Sequence, residues 1–393
     1  MGKAKPVSFE AALDEANDLL ASALRRHLSG RCLENLDSLF SGGLDSRLVL
    51  AYLTKMNVFP RCRTHGFPTD DEVILAKRAS RKIGCEWTGV PDDFTYMEPA
   101  ARAEVGLFSL GSGMSSLFLM MDVLRPEPKA EATVNGFALD TVFDRINGIE
   151  DFTRGRSFEE EFQRKMNNFG IPPEQLKRLF RSPEQRDAVD AAIEEMKEEW
   201  NGLSEDPLLR IWQTTQHFRT SHHIGGVVWK NSFASWPVSV GYDLPMLRRL
   251  LEFPVEMYEK RKLQREMLAK INPALARIPL DGNSRKPMPV IDTFVERLKR
   301  SLRRRRGRGQ RRKGGGIETR RYVRMLDVNN EAWADLRRTA DAKRASLERI
   351  FDSGELNEYF PPFPQRVPIE KDPIGEHAGR RMLVGLALYL DPL

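Results

Sequence analysis

The feature that most constrains this chain is a glycine turn between an apolar run and a helical pattern. The run ends at Phe40, the turn over residues 41–46 has the sequence Ser-Gly-Gly-Leu-Asp-Ser, and the helical pattern follows from Leu48. A strand that turns through glycines into a helix N-terminus presents backbone N–H groups and a favourable dipole to an anion. An aspartate such as Asp45 fits beside a phosphate when a divalent cation bridges the two. The turn therefore predicts a nucleotide bound with its metal ion.

A glycine turn at this position has two other interpretations. A Walker loop is excluded because no Gly-x-x-x-x-Gly-Lys-Ser/Thr occurs in the chain. A plain Gly-Gly connection between a strand and a helix is the simpler alternative. The six residues of the turn lie between a strand pattern and a helical pattern, and this context favours the phosphate-binding interpretation.

The pattern around the turn predicts an α/β fold. Ser8 is placed as the N-cap of an amphipathic helix that runs to Leu28, and Asp70 or Asp71 caps a second helix that stops at Gly84. Strand-like runs alternate with these helices, at Leu36 to Phe40, Arg61 to Gly66, Glu86 to Val90 and Ala132 to Val134. This alternation predicts a parallel sheet with helices on both faces.

Ligands gather at the carboxyl ends of the strands in such a sheet. Ser41, Gly66 and Gly136 each follow a predicted strand end. We therefore expect the three loops to meet at one crevice. The sequence predicts a nucleotide-binding core over residues 1–148, followed by a mainly α-helical region over residues 149–393 on the acceptor side.

The positive charge of the chain is concentrated in one segment. Residues 299–313 hold ten Lys or Arg and no acid, and without them the net charge of +6 becomes −4. Together with the glycines that follow, the segment 299–316 is typical of a solvated, flexible loop. An arm that contacts RNA is the alternative, although no aromatic residue interleaves the arginines to stack on bases.

Composition and the lack of targeting segments predict a soluble, cytoplasmic protein rather than a membrane or secreted one. No apolar run approaches the roughly 18 residues that span a bilayer, and Met382 to Leu390 is expected to form a buried C-terminal helix. The start of the chain lacks the apolar core of a signal peptide. Three cysteines without a close pair predict neither a disulfide framework nor a cysteine zinc site.

The turn resembles the PP-loop of the ATP pyrophosphatase superfamily, whose fold is adenine nucleotide α-hydrolase-like. With Thr64-His65-Gly66 at a strand end and Asp71-Glu72 opening a helix, the resemblance narrows to the synthetase domain of the asparagine synthetase family. It covers Phe9 to about Arg145. It continues more loosely through Arg219 and the stretch from Pro237 to Asp243, which is similar to the family's Pro-Phe-x-Asp.

The resemblance implies an ATP site at the strand ends. The adenine would lie against Leu39, His65 and Gly136, and the phosphates in the turn. The residues implied in nucleotide binding are Leu39, Phe40, Ser41, Gly42, Gly43, Leu44, Asp45, Ser46, His65, Gly66 and Gly136.

The resemblance also implies a magnesium ion and a catalytic lysine. Residues 136–143 align with the second acidic motif of the family, so Asp45 and Asp140 would hold Mg²⁺. Lys286 is the candidate for neutralising charge on the leaving pyrophosphate, and a solvated surface lysine is the alternative.

The chain departs from the family at two acidic positions. Phe137 and Thr141 stand where the family motif has carboxylates, and the first of these helps to arrange the reacting carboxylate and ATP. Residue 2 is Gly, whereas a full asparagine synthetase begins with a glutaminase domain and its nucleophilic cysteine. We therefore expect nitrogen to come from free ammonia, from a separate protein or from an amine on a substrate.

Three functions follow from this sequence. The first is an ATP-dependent ligase that adenylates a small-molecule or peptide carboxylate, releases pyrophosphate and forms an amide. The second is an ATP-binding protein that has lost catalysis, as the changes at Phe137 and Thr141 suggest. The third is a PP-loop enzyme that modifies RNA gripped by residues 299–313.

Overall fold

The structure, a computed structural model, describes residues 7–91, 101–102, 129–143, 155–167, 170–282, 285–291, 326–369 and 377–390. The chain forms two compact units that are interleaved in sequence. The first unit contains Met1–Asp92, Pro128–Asp151 and Ser235–Arg321, and the second contains Asp93–Glu127, Phe152–Ala234 and Tyr322–Leu393.

The first unit is built on a sheet of five parallel strands. These strands are β1 (Leu36–Leu39), β2 (Arg61–His65), β3 (Trp87–Val90), β4 (Ala132–Asn135) and β5 (Trp236–Ser239). Their order is β3-β2-β1-β4-β5, and each neighbouring pair is parallel. The four predicted strands are confirmed. A short antiparallel hairpin of β6 (Leu280–Gly282) and β7 (Arg285–Met288) lies in the same unit.

The fifth strand was not predicted. It is only four residues long and contains Pro237, and a proline within a run argues against a central strand. The strand lies at the edge of the sheet, where a proline is tolerated because one side of the strand makes no ladder bonds.

Helices connect the strands and form the second unit. In chain order the α-helices are α1 (Phe9–Leu28), α2 (Leu44–Lys55), α3 (Asp71–Lys82), α4 (Leu139–Phe143), α5 (Phe158–Glu161), α6 (Pro173–Leu179), α7 (Pro183–Asn201), α8 (Pro207–Thr214), α9 (Gly225–Asn231), α10 (Leu244–Leu250), α11 (Lys262–Ile271), α12 (Pro273–Ala276), α13 (Ala334–Ala342), α14 (Arg344–Leu347), α15 (Ser353–Tyr359) and α16 (Ala378–Tyr389). Shorter 3₁₀ segments lie at Leu33–Asn35, Val240–Tyr242, Val255–Tyr258 and Glu331–Trp333, and π-helical segments at Phe162–Met166 and Thr215–Ile224.

The first helix shows how closely the local pattern determines an element. Ser8 caps α1, because its hydroxyl oxygen accepts a hydrogen bond from the amide of Ala11 at 3.2 Å. The face at three-to-four spacing is buried through Ala16, Leu20 and Ala23. Both features agree with the predicted helix.

The strand order defines where a ligand is expected. From β1 the chain moves to β2 and then β3 on one side, whereas β4 and β5 lie on the other side of β1. In an open parallel sheet the crevice for a ligand lies at the carboxyl ends of the strands, where this direction reverses. The loops after β1 and β4 are therefore the expected walls of a site.

The second unit is helical in the residues that are described. Its core is centred on the fully buried Trp333 and includes Leu336, Leu356 and Val384. The predicted C-terminal helix is confirmed as α16, which buries Leu383, Val384, Ala387 and Leu388. Within the described ranges, no helix is long and apolar enough to cross a membrane.

Two predictions about organisation concern residues outside the described ranges. The boundary at residue 148 and the Arg-rich segment 299–316 both fall there. The helical C-terminal part is confirmed, and the division of the chain at residue 148 stays a prediction. The strand β5, the helices α10 to α12 and the β6–β7 hairpin belong to the first unit, because β5 completes the sheet beside β4.

Candidate functional site

The predicted phosphate-binding turn joins β1 to α2. Gly43 is the N-cap of α2 and no side chain caps this helix end. The Ser41 hydroxyl oxygen accepts a hydrogen bond from the Gly43 amide at 3.3 Å and lies 3.1 Å from the hydroxyl of Ser46. The turn therefore places two hydroxyl groups at a helix N-terminus whose N-cap residue makes no side-chain capping bond, which is a suitable arrangement for an anion.

Two glycines allow the surrounding backbone to close on the turn. Gly42 has φ +71°, and a Cβ there would lie 3.0 Å from the amide nitrogen of Ala76 in α3. A Cβ at Gly136, which follows β4, would lie 2.7 Å from the amide nitrogen of Ser46. The loop after β4 is therefore in direct backbone contact with the first turn of α2, as the sequence predicted for these strand ends.

The end of β2 is hydrogen-bonded to the residue that precedes the turn. Thr64 is buried, and its hydroxyl donates to the carbonyl oxygen of Phe40 at 2.6 Å while accepting from the indole N–H of Trp87 at 3.0 Å. His65 and Gly66 follow immediately, so this loop lies beside the turn. The side chains of Phe40 and Leu44 are buried in the core, so these two predicted residues offer a ligand only their backbone.

A buried arginine donates hydrogen bonds to the backbone of the turn and of a distant segment. The side chain of Arg47 is fully buried and donates to the carbonyl oxygens of Gly42 at 2.5 Å, Leu275 at 3.1 Å, Ile278 at 2.5 Å and Pro279 at 2.9 Å. Burial is the main reason that the pKa of this guanidinium falls to about 10, with a smaller contribution from the charge of Arg78. The group remains charged near neutral pH and ties the glycine turn to the segment after α12.

The same contact links the glycine turn to the segment that precedes the β6–β7 hairpin. Pro279 immediately precedes β6, and β6 pairs with β7, the strand that carries Lys286. One guanidinium group thus bonds to both the glycine turn and the start of this hairpin. The role of Lys286 stays a prediction.

Asp45 is engaged by side chains that the sequence did not indicate. Its Oδ1 accepts hydrogen bonds from the guanidinium of Arg261 and from the amide group of Gln264, the latter at 2.8 Å. Arg261 and Gln264 lie at the start of α11, more than 200 residues away in sequence. No local pattern could have revealed these contacts, because only the folded chain brings α11 to α2.

Asp140, the second predicted magnesium ligand, lies in α4 and is exposed. The turn before it contains Ala138 at φ +65°. Burial of Tyr242 raises the pKa of its phenol, and the negative charge of Asp140 raises it further. The two predicted magnesium ligands thus lie in the first turns of α2 and α4, the helices that follow β1 and β4.

The two positions that depart from the family motif are used in local structure. The Phe137 amide donates to Oδ1 of Asn135 at 3.0 Å, and the Thr141 hydroxyl donates to the carbonyl oxygen of Ala138 at 2.7 Å. Both contacts stabilise the turn between β4 and α4. Neither residue supplies a carboxylate.

The residues at this site include two candidate ligands for a divalent ion, one of which is already paired with a cation. Two carboxylates completed by phosphate oxygens are a donor set that Mg²⁺ takes in proteins. Within the described ranges, no group of three or more His, Cys, Asp or Glu side chains could hold a metal ion. Oδ1 of Asp45 already accepts from Arg261, so a metal ion on that oxygen would compete with a guanidinium group.

Asp243 has a structural role in this structure. Its carboxylate accepts from the Met246 amide at 2.9 Å as the N-cap of α10, and forms two hydrogen bonds with Arg26 of α1, at 2.6 and 3.1 Å. Burial alone would raise the pKa of this carboxyl, but Arg26 and the Met246 amide hold it below its usual value. The residue that resembles the last position of the family's Pro-Phe-x-Asp therefore joins α1 to α10.

The family comparison bears on the same part of the chain. The family model described as Asparagine synthase matches residues 15–103. This range contains β1, the glycine turn, α2, β2, α3 and β3, and the match is consistent with a synthetase domain of the asparagine synthetase family. The resemblance inferred from the turn is confirmed over this range, which ends before Gly136 and Asp140. No curated protein matches the chain.

A separate cavity of about 430 Å³ lies within the second unit. Its charged and aromatic lining consists of Arg156, Glu160, Glu161, Trp200, Glu205 and Arg210. None of the predicted site residues lines this cavity.

Proposed function

We propose that the chain is an ATP-dependent ligase that activates a carboxylate as an acyl-adenylate and transfers it to a nitrogen nucleophile. The α-phosphate of ATP is attacked by the carboxylate, the bond to the β-phosphate breaks and pyrophosphate leaves. A nitrogen nucleophile then attacks the acyl carbon, and AMP leaves with the bonding pair. The expected products are an amide, AMP and pyrophosphate.

The observation that carries this proposal is the N-terminus of α2 at the point where the strand order reverses. It has no side-chain cap, it carries the hydroxyls of Ser41 and Ser46, and it lies in the range that matches the Asparagine synthase model. An anion at this position would meet backbone N–H groups and the positive end of the helix dipole. Each well-placed donor of this kind contributes roughly 3 kcal/mol to a charge-developing step.

Further residues of the site would complete the reaction. Lys286 would neutralise charge on the leaving pyrophosphate, and Arg47 would keep the turn in the shape that presents its amides. Asp45 and Asp140 would hold a divalent ion once Arg261 has moved away from Asp45. Such an ion supplies positive charge to the phosphate oxygens during bond cleavage.

The test is carboxylate-dependent exchange of labelled pyrophosphate into ATP, which reports adenylation without any nitrogen donor. A panel of amino acids, peptides and other small carboxylic acids is screened with the full chain, and exchange should appear with one of them. Asp45→Asn should abolish exchange, whereas Asp187→Asn, at an exposed position in α7, should not. Formation of ADP and phosphate would overturn the mechanism.

A second candidate function, ATP binding without catalysis, is favoured by one observation. The two positions where the family motif has carboxylates are occupied by Phe137 and Thr141, and their polar groups serve the local turn. Calorimetry that detects tight binding of magnesium and ATP, with no exchange for any carboxylate, would support this candidate.

The nitrogen source is a separate question within the ligase proposal. When ammonium labelled with ¹⁵N is supplied, a mass shift of the amide product identifies free ammonia as that source.

A further inference from the structure

Arg261 occupies an unusual backbone position immediately before α11. Lys260 and Arg261 have φ +51° and +61°, so two successive residues with side chains adopt the left-handed region. Each such residue costs on the order of 1 kcal/mol, and strained residues of this kind cluster at ligand sites and switches. The strain is supported locally, because the Arg261 amide donates to the carbonyl oxygen of Tyr258 at 3.0 Å and its Nε donates to Oε1 of Gln264 at 2.7 Å.

This backbone position directs the guanidinium to the phosphate-binding turn. Its Nη2 pairs with Oδ1 of Asp45, in the first turn of α2. The side chains of Arg261 and Asp45 are only 22% and 26% exposed. Gln264 is fully buried and donates to the same oxygen. The negative charge of Asp45 is thus already balanced by the protein.

A guanidinium and a divalent ion compete for one carboxylate because both are cations, so they repel each other at contact distance and the charge of the carboxylate can balance only one of them. We propose that Arg261 is a displaceable cation that holds Asp45 in the ligand-free protein and sets how tightly this site binds a divalent metal ion. Arg261 is a positioning residue in this scheme. The inference rests on the proposed function, in which the turn binds ATP together with a divalent ion.

The pair has a consequence for the order of binding. The ion alone meets a carboxylate whose charge Arg261 already balances, and it brings no anion for the guanidinium. An ion that arrives with a polyphosphate brings negative charge to which a released guanidinium is attracted. The metal ion is therefore expected to bind weakly alone and tightly with nucleotide.

The experiment measures Mn²⁺ binding to the full chain in the absence of nucleotide, by electron paramagnetic resonance of the free ion. Arg261→Met keeps a long side chain and removes the charge, whereas Lys262→Met removes one charge from the next, exposed position. Asp45→Asn reports any Mn²⁺ bound elsewhere. We expect Arg261→Met to bind Mn²⁺ about tenfold more tightly than the unmodified chain, the equivalent of a partly buried ion pair. Lys262→Met should stay within about twofold.

Three results would overturn the inference: equal affinity in Arg261→Met and Lys262→Met, weaker binding in Arg261→Met, or no binding that depends on Asp45. Should Arg261→Met fail to fold, Arg261→Lys keeps the charge without the planar fork and is expected to bind Mn²⁺ severalfold more tightly. An affinity unchanged in Arg261→Lys would then count against the inference.

The same samples separate this inference from the proposed function. The proposed function fails when no variant binds ATP with Mn²⁺ or Mg²⁺, whatever the order of affinities for Mn²⁺ alone. The role of Arg261 fails when ATP and metal bind normally but Arg261→Met and Lys262→Met, which each remove one positive charge, change the Mn²⁺ affinity equally.

Discussion

Replacing Arg47 should destabilise the first unit more than any surface substitution. Its guanidinium donates to four backbone carbonyl oxygens, at Gly42, Leu275, Ile278 and Pro279. In Arg47→Met each of these four buried acceptors loses its donor. Each unsatisfied buried group costs about 1 kcal/mol, which is the low end of the range for such groups. Methionine recovers about 1 kcal/mol through apolar burial. We therefore expect a loss of about 3 kcal/mol in the free energy of unfolding.

Urea denaturation of the full chain, followed by tryptophan fluorescence, measures this loss. The free energy of unfolding of Arg47→Lys should lie between those of the unmodified chain and Arg47→Met, because an ammonium group has three donors for four acceptors. The control is Arg25→Met in α1, since Arg25 is exposed and donates to the Ser22 hydroxyl at 3.3 Å, and it should change stability by less than about 0.5 kcal/mol. A loss below about 1 kcal/mol in Arg47→Met would refute the assignment of Arg47 as the anchor of the turn.

Three further predictions address the elements around the site. Because the pKa of Asp243 is lowered on folding, its contribution to stability is present above its unfolded pKa of about 3.9 and is lost as pH falls through the folded value. Asp243→Asn should therefore flatten the acid side of a pH–stability profile, and an unchanged profile would contradict the pairing with Arg26. Gly136→Ala forces its Cβ against backbone and should weaken nucleotide binding at least tenfold by calorimetry, whereas unaltered affinity would argue against the close approach. Thr64→Val removes the donor to Phe40 and should lower the free energy of unfolding by about 1–2 kcal/mol in a thermal melt. An unchanged melting temperature would show that this contact does not stabilise the unit.

Local patterns were sufficient to predict the parts of the fold whose determinants are close in sequence. The cap at Ser8, the glycine turn and the four strands β1 to β4 each depend on residues within a few positions of one another. The loop of Gly136 could be associated with the turn because parallel strands end at a common edge, and the contact with Ser46 agrees.

The remaining features depend on contacts between distant segments. The bonds from Arg261 and Gln264 to Asp45 and from Arg47 to Pro279 join residues more than 200 positions apart. Periodicity carries no information about such pairs. Asp243 shows a related ambiguity. It ends the stretch that resembles the family's Pro-Phe-x-Asp, and it also begins an Asp-Leu-Pro sequence that fits a helix N-cap followed by proline.

The addition of β5 at the rim of the sheet limits how this protein can be divided. A fragment that stopped at residue 148 would leave β4 without its outer neighbour and would expose the backbone groups that now pair along Ala132–Asn135. Unpaired strand edges of this kind invite association with other chains. We expect such a fragment to aggregate, and a recombinant nucleotide-binding unit would need residues from the middle third of the chain fused back onto its first part.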